Sequence, residues 1–286
     1  MNDKFISALM APEPSEEFTL ARSLDIHYLP NKIILILLPI VFISTFAWFF
    51  VKNTTITQNI IYSLFQVILV FFCWALGREI DPDHDYAAFL GIPLLFLPFA
   101  IAKGSILVLF WFIIGLRLLN QTTGKKTSSA DVTVFLFLSL IAALISSQLL
   151  ILPLSIIIIF LTSFLPKRQP SLSFFSIPLI PSFILLLLIF PGSWDFINPS
   201  PWILIYIAIS SALLFLVTTL TDKIQCTGDH SHTPLSLKRV QTAQIISVLS
   251  VLLLTTFHGN ILSVFPVWSA ITGVGIFRLG QLIFNR

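Results

Sequence analysis

Between Val132 and Leu165 the chain reads VTVFLFLSLIAALISSQLLILPLSIIIIFLTSFL, without one charged residue. As a single helix this stretch would run about 50 Å at ~1.5 Å per residue, against a hydrocarbon core of roughly 30 Å. As two arms turning at Ser146-Ser147-Gln148, it becomes a hairpin whose arms approach the roughly 17–25 residues of a spanning helix. A helical hairpin in lipid is therefore the expected form, and it sets the reading of everything around it.

The rest of the composition agrees. Hydrophobic residues make up 56% of the 286 and charged residues only 10%, with a mean hydropathy of +0.97. Soluble domains carry about 25% charged residues, so this chain has too few charges to cover a water-facing surface. Apolar segments recur near 33–51, 57–76, 87–102, 104–119, 132–147, 149–165, 173–191, 201–220, 243–257 and 261–277. The predicted fold class is all-α, a polytopic membrane bundle of about ten transmembrane helices. Three adjacent pairs hold short segments: 87–102 with 104–119, 132–147 with 149–165, and 243–257 with 261–277. A re-entrant hairpin in place of two full spans would leave the topology of the remainder unchanged.

Charge distribution orients the bundle. With ten spans, one face receives Lys4, Arg22, Lys32, Arg78, Arg117, Lys125, Lys126, Lys167, Arg168, Lys223, Lys238, Arg239, Arg278 and Arg286. The other receives only Lys52 and Lys103. That asymmetry places both termini in the cytoplasm by the positive-inside rule. It also accounts for the basic pI without nucleic acid, since the positives mark topology and meet anionic lipid headgroups. Residues 1–32 are expected as a cytoplasmic N-terminal segment, with no cleavable signal pattern. Residues 33–286 are expected as one transmembrane domain with cytoplasmic loops near 77–86, 120–131, 166–172 and 221–242. Its predicted localisation is the cytoplasmic membrane. Ser128 with Asp131 forms a capping-box pattern, and Asn53-Thr54-Thr55 supplies caps for the second helix. Cys73 and Cys226 form no redox or zinc pair by spacing.

Four of the 13 acidic residues, Glu79, Asp81, Asp83 and Asp85, crowd into REIDPDHDYAAF. Asp81, Asp83 and Asp85 alternate at i, i+2, i+4. In an extended loop this spacing points three carboxylates to one side, a hard-oxygen set suited to Mg²⁺ or another divalent cation. An EF-hand does not fit, because Tyr86 and Ile92 stand where that loop needs glycine and glutamate. The plain alternative is a solvated turn, broken at Pro82, with Asp83 or Asp85 capping the next helix and Arg78 pairing with Glu79 or Asp81. The loop TDKIQCTGDHSHTPLSLKRVQT, from Thr221 to Thr242, adds Asp229, His230 and His232, two imidazoles and a carboxylate that suit Zn²⁺; its alternative is ordinary turn chemistry. If the two loops meet, Asp81, Asp83, Asp85, Asp229, His230 and His232 become one metal or phosphate site, with Arg78, Lys238 and Arg239 as phosphate contacts. Thr122-Thr123-Gly124-Lys125-Lys126-Thr127 resembles the end of a P-loop, but Leu119 replaces its first glycine.

No ionisable residue lies near a span centre, which argues against ion-coupled transport through buried carboxylates. Two function classes remain. One is a divalent-metal-dependent membrane enzyme acting on a phosphorylated lipid or lipid-linked substrate at the cytoplasmic interface. The other is a transporter, a flippase-like protein or a non-catalytic subunit of a larger complex.

Overall fold

A computed structural model of the protein describes residues 19–21, 25–52, 54–96, 104–166, 200–229, 234–258 and 261–284. Among them the α-helices are α1 (Leu29–Val51), α2 (Ile56–Ile80), α3 (Ile106–Asn120), α4 (Ser129–Ser146), α5 (Ile151–Phe164), α6 (Pro201–Leu220), α7 (Leu237–His258) and α8 (Ile261–Phe284). The described residues form no strand, and one isolated bridge joins Thr227 to Pro234. Six of these helices, α1, α2, α4, α6, α7 and α8, are long and apolar enough to cross a bilayer. The predicted all-α, multi-pass character is borne out at that level. The segment at 173–191 lies outside the described residues.

The opening stretch does fold as a hairpin. α4 ends at Ser146, Ser147 turns in the left-handed region at φ 56°, and α5 begins at Ile151. The two local caps also form. Thr55 and Gln58 make a reciprocal capping box on α2, and Ser128 and Asp131 make another on α4.

One expected span takes a different form. The described part of 87–102 is two short 3₁₀ helices, Asp85–Gly91 and Pro93–Phe96, instead of a regular α-helix. Pro93 removes the donor that an α-helix would need. Gly91 and Gly273 let the backbones of this segment and α8 touch: a Cβ on Gly91 would sit 2.8 Å from the Ser269 carbonyl oxygen. The slender 3₁₀ segment therefore lies in a groove of α8 that a thicker helix would not enter.

α8 is the hub. Its run from Val264 to Val274 is buried throughout, and α2, α6 and the 3₁₀ segment pack around it. α1 pairs with α2, while α3, α4 and α5 form a second cluster joined through α7. Side chains such as Ile36, Ile43, Ile145 and Phe215 face outward, as lipid-facing residues do. Several interior polar groups are paired across helices. Trp111 Nε1 donates to Ser155 Oγ (2.8 Å), Ser155 to Ser139 (2.8 Å), Trp268 Nε1 to Thr255 Oγ1 (3.0 Å) and Gln148 Nε2 to Ser263 Oγ (2.9 Å).

Candidate functional site

The ends of α2, α3, α5 and α8 and the start of α7 meet in one polar layer, and the acidic stretch lies inside it. Arg78, buried, and Arg117, half-buried, are paired there. Arg78, at the end of α2, donates from Nε to Asp85 (3.0 Å) and from Nη1 to Asn31 (2.9 Å), and its guanidinium lies over Tyr28 and Trp74. Glu79, 1% exposed, accepts from Arg117 Nε at 2.9 Å and from Thr122 Oγ1 at 3.0 Å. The last carbonyls of α2 are closed by side chains: Asn120 Nδ2 donates to Glu79 O (2.6 Å) and Gln244 Nε2 to Ile80 O (2.9 Å).

The three aspartates each have a partner of their own. The backbone turns at Asp81–His84, where His84 N donates to Asp81 O, and the 3₁₀ helix starts at Asp85. The segment is therefore a turn and not the extended strand that the i, i+2, i+4 spacing presumes. The Asp81 carboxylate faces His84 Nδ1 at 3.1 Å. Asp83 accepts from Gln225 N (3.1 Å) and Cys226 N (2.7 Å). Asp85 accepts from Arg78 and from Tyr28 Oη. Neither Asp83 nor Asp85 is the helix cap; that position is His84, without a side-chain cap bond. Among the described residues, no group of three or more His, Cys, Asp or Glu is placed to hold a metal ion.

The two polar loops do meet, through Asp83 and the Gln225-Cys226 backbone. Asp229 N also donates to Thr122 O at 3.1 Å. His230 and His232 lie outside the described residues.

The adjacent cations Lys238 and Arg239 part company. Lys238 is exposed at the start of α7. Arg239 is 1% exposed, and its guanidinium, expected on phosphate, donates to the carbonyls of Pro166 (2.7 Å), Leu119 (2.8 Å) and Thr162 (3.2 Å). One residue thereby caps the C-terminal ends of α3 and α5. A helical turn separates the fates of neighbours: Arg239 lies on the stripe with Ala243, Ser250 and Leu254, all buried.

A cavity of about 630 Å³ opens where the loops meet, walled by residues 82–85, 220–223, Gln225, Cys226 and Arg278. Sequence reasoning counted Arg278 only as a topology marker. Its Nη1 meets the His84 ring at 2.9 Å from Nε2. The same Nη1 lies 3.2 Å from Nδ1, the ring nitrogen that faces Asp81, and 3.3 Å from Gln281 Oε1. Arg278 has no carboxylate partner among the described residues, nor does Lys223 beside it. Cys226 is also in the wall. Burial, and then the Asp83 carboxylate, push its thiol well above the ordinary range. The chain matches no family model, no curated protein and no solved structure, so its chemistry rests on these residues alone.

Proposed function

We propose that the chain is a ten-span protein of the cytoplasmic membrane, with both termini and the polar layer in the cytoplasm. It binds the phosphate of a lipid headgroup or lipid-linked molecule in the cavity beside Arg278. The observation that carries this reading is the Arg278 guanidinium in the wall, without a carboxylate partner among the described residues, while Asp83 and Asp85 of the same wall are held by the Gln225 and Cys226 backbone and by Arg78. Arg278 suits phosphate by its planar fork of donors, and Lys223 adds a second positive charge. Asp222 adds an opposing charge beside Asp83 and Asp85 in the same wall. Exposed Lys238 meets headgroups from the start of α7. The Lys/Arg asymmetry supports the orientation. The reading is one of binding: Cys226, a nucleophile in the wall, is held as a thiol.

Thermal unfolding of detergent-purified protein tests it, with inorganic phosphate, glycerol phosphate and a short-chain phosphatidate as separate ligands. A site filled at about 100 times its dissociation constant adds about 2.7 kcal/mol of stability. Stabilisation that Arg278→Gln abolishes is the expected result, and the ligand that acts at the lowest concentration separates free phosphate from lipid. No stabilisation by any of the three, or the same stabilisation in Arg278→Gln, overturns the reading.

A further inference from the structure

The cavity beside Arg278 is not a purely basic pocket. Its wall carries Asp83, Asp85 and Asp222 as well as Lys223 and Arg278. A phosphate alone would meet the two cations and also face carboxylates, and like charges set against each other in one site weaken binding. How each of these charges is already satisfied decides what the cavity can hold.

The carboxylates differ. Asp85 accepts from Arg78 Nε at 3.0 Å on one oxygen and from Tyr28 Oη on the other, so a cation already matches its charge. Asp83 accepts from backbone N–H groups, Gln225 N on both oxygens at 3.1 Å and Cys226 N at 2.7 Å. Among the described residues it has no cation within ion-pair distance. Asp222 is exposed, and among the described residues its carboxylate has neither a hydrogen bond nor an ion pair. Lys223 and Arg278 are the complement, two cations without a carboxylate partner. One wall thus presents two carboxylates lacking a cation and two cations lacking a carboxylate. Its volume of about 630 Å³ falls within the ~300–1,000 Å³ of small-molecule sites.

Opposite charges held apart in one wall fit a ligand that carries both signs. The anionic half belongs on Arg278, whose planar fork of donors matches phosphate oxygens. The cationic half belongs at Asp222, the carboxylate whose oxygens are open. A quaternary ammonium has no N–H to give and is held by aromatic faces. No Phe, Tyr or Trp lines this wall among the described residues. A primary ammonium brings three donors and suits a bare carboxylate. We propose, resting on the phosphate reading above, that the cavity takes a phosphoethanolamine-type group: a phosphate on Arg278 and Lys223, with a primary ammonium two carbons away on Asp222. Asp83, beside it in the wall, adds its charge to the field that favours the ammonium.

The test is thermal unfolding of the full chain in maltoside micelles, titrated separately with phosphoethanolamine, phosphocholine and glycerol phosphate. Phosphoethanolamine should stabilise at about fivefold lower concentration than either of the others (~1 kcal/mol). Asp222→Asn changes an exposed side chain without a partner, so the variant should fold as the wild type does. It should erase the preference while glycerol phosphate still binds. Phosphoethanolamine no more potent than phosphocholine or glycerol phosphate, or a preference that survives Asp222→Asn, overturns this inference and leaves the phosphate reading standing. No stabilisation by any of the three overturns both. Dihexanoylphosphatidylethanolamine as a fourth ligand separates the sources. If it acts at lower concentration than phosphoethanolamine, the group is a lipid headgroup; if phosphoethanolamine acts first, it is a free phosphomonoester, and the proposed zwitterion stands in either case.

Discussion

Replacing Arg239 with methionine should be among the most damaging single changes at the polar end. Methionine keeps most of the unbranched stem and its packing but removes the guanidinium. The acceptors are backbone carbonyls of Leu119, Thr162 and Pro166, so no compensating substitution removes them. A buried ion pair is often replaceable as a unit by apolar residues, but here one half of the unit is the main chain. Each carbonyl left without a donor costs about 1–3 kcal/mol, and water or local relaxation recovers part of that. The expected loss is therefore about 3–5 kcal/mol, within the range for breaking a buried charged network. Arg239→Lys should fall between wild type and methionine, since a compact ammonium does not span three carbonyls held in a fork. Lys238→Met is the control: an exposed neighbour, expected within about 0.5 kcal/mol of wild type. Denaturant unfolding in detergent micelles measures all three. If Arg239→Met lies within about 1 kcal/mol of wild type, or if its only effect is weaker binding to anionic vesicles, the capping role is refuted and a headgroup contact takes its place.

Changing Asp81, Asp83 and Asp85 together to Asn should destabilise the protein by about 3 kcal/mol in ion-free buffer, because each carboxylate loses its own charge-assisted partner. Stabilisation by Mg²⁺, Mn²⁺, Ca²⁺ or Zn²⁺ of the wild type alone would instead restore a metal site. Cys226 should react slowly with iodoacetamide at about pH 8.5, where an ordinary thiol is half ionised. Burial and then Asp83 raise the folded thiol, so stability tied to the protonated form is present below the ordinary thiol range and falls as pH rises beyond it. In a Cys73→Ala background, Asp83→Asn should speed alkylation several-fold; an unchanged rate would remove Asp83 from the account.

What the sequence made legible was local or additive. Hydropathy summed over a window located the long helices, because each residue contributes without reference to a partner. The Ser128–Asp131 capping box is set by residues three apart and formed as expected, and Thr55 of the expected Asn53-Thr54-Thr55 run caps α2. The hairpin at Ser146-Ser147-Gln148 followed from length alone. What was not legible depended on the path of the chain between distant elements. The i, i+2, i+4 spacing of the aspartates was informative only for an extended backbone, and the Asp81–His84 turn removed that condition. Lys238 and Arg239 are alike as letters. Only the buried stripe of α7, read backward from Ala243 to Arg239, could have told them apart. Arg278 was visible but carried no motif, since its importance comes from the partners it lacks.

The concentration of acids in REIDPDHDYAAF now has a physical reason. An end that carries many positive charges also has to close several helix C-termini, and it does so by packing rather than by hydration. Carbonyls of Glu79, Ile80, Leu119 and Thr162 receive side-chain donors in the interior. Arginines drawn into such a layer need counter-charges, and the acidic stretch supplies them: Glu79 to Arg117, Asp85 to Arg78. Arg239 is the exception, neutralised only by carbonyl dipoles at two helix ends, the kind of partner that a helix C-terminus offers a cation. Among the described residues, Lys32, Lys125, Lys126, Lys223 and Lys238 are exposed, and Arg278 lines the cavity. The charges at this end therefore sort by partner into one set that holds the fold and another that faces outward. A substitution in the first set should register in stability, and one in the second in affinity for an anion or an anionic surface.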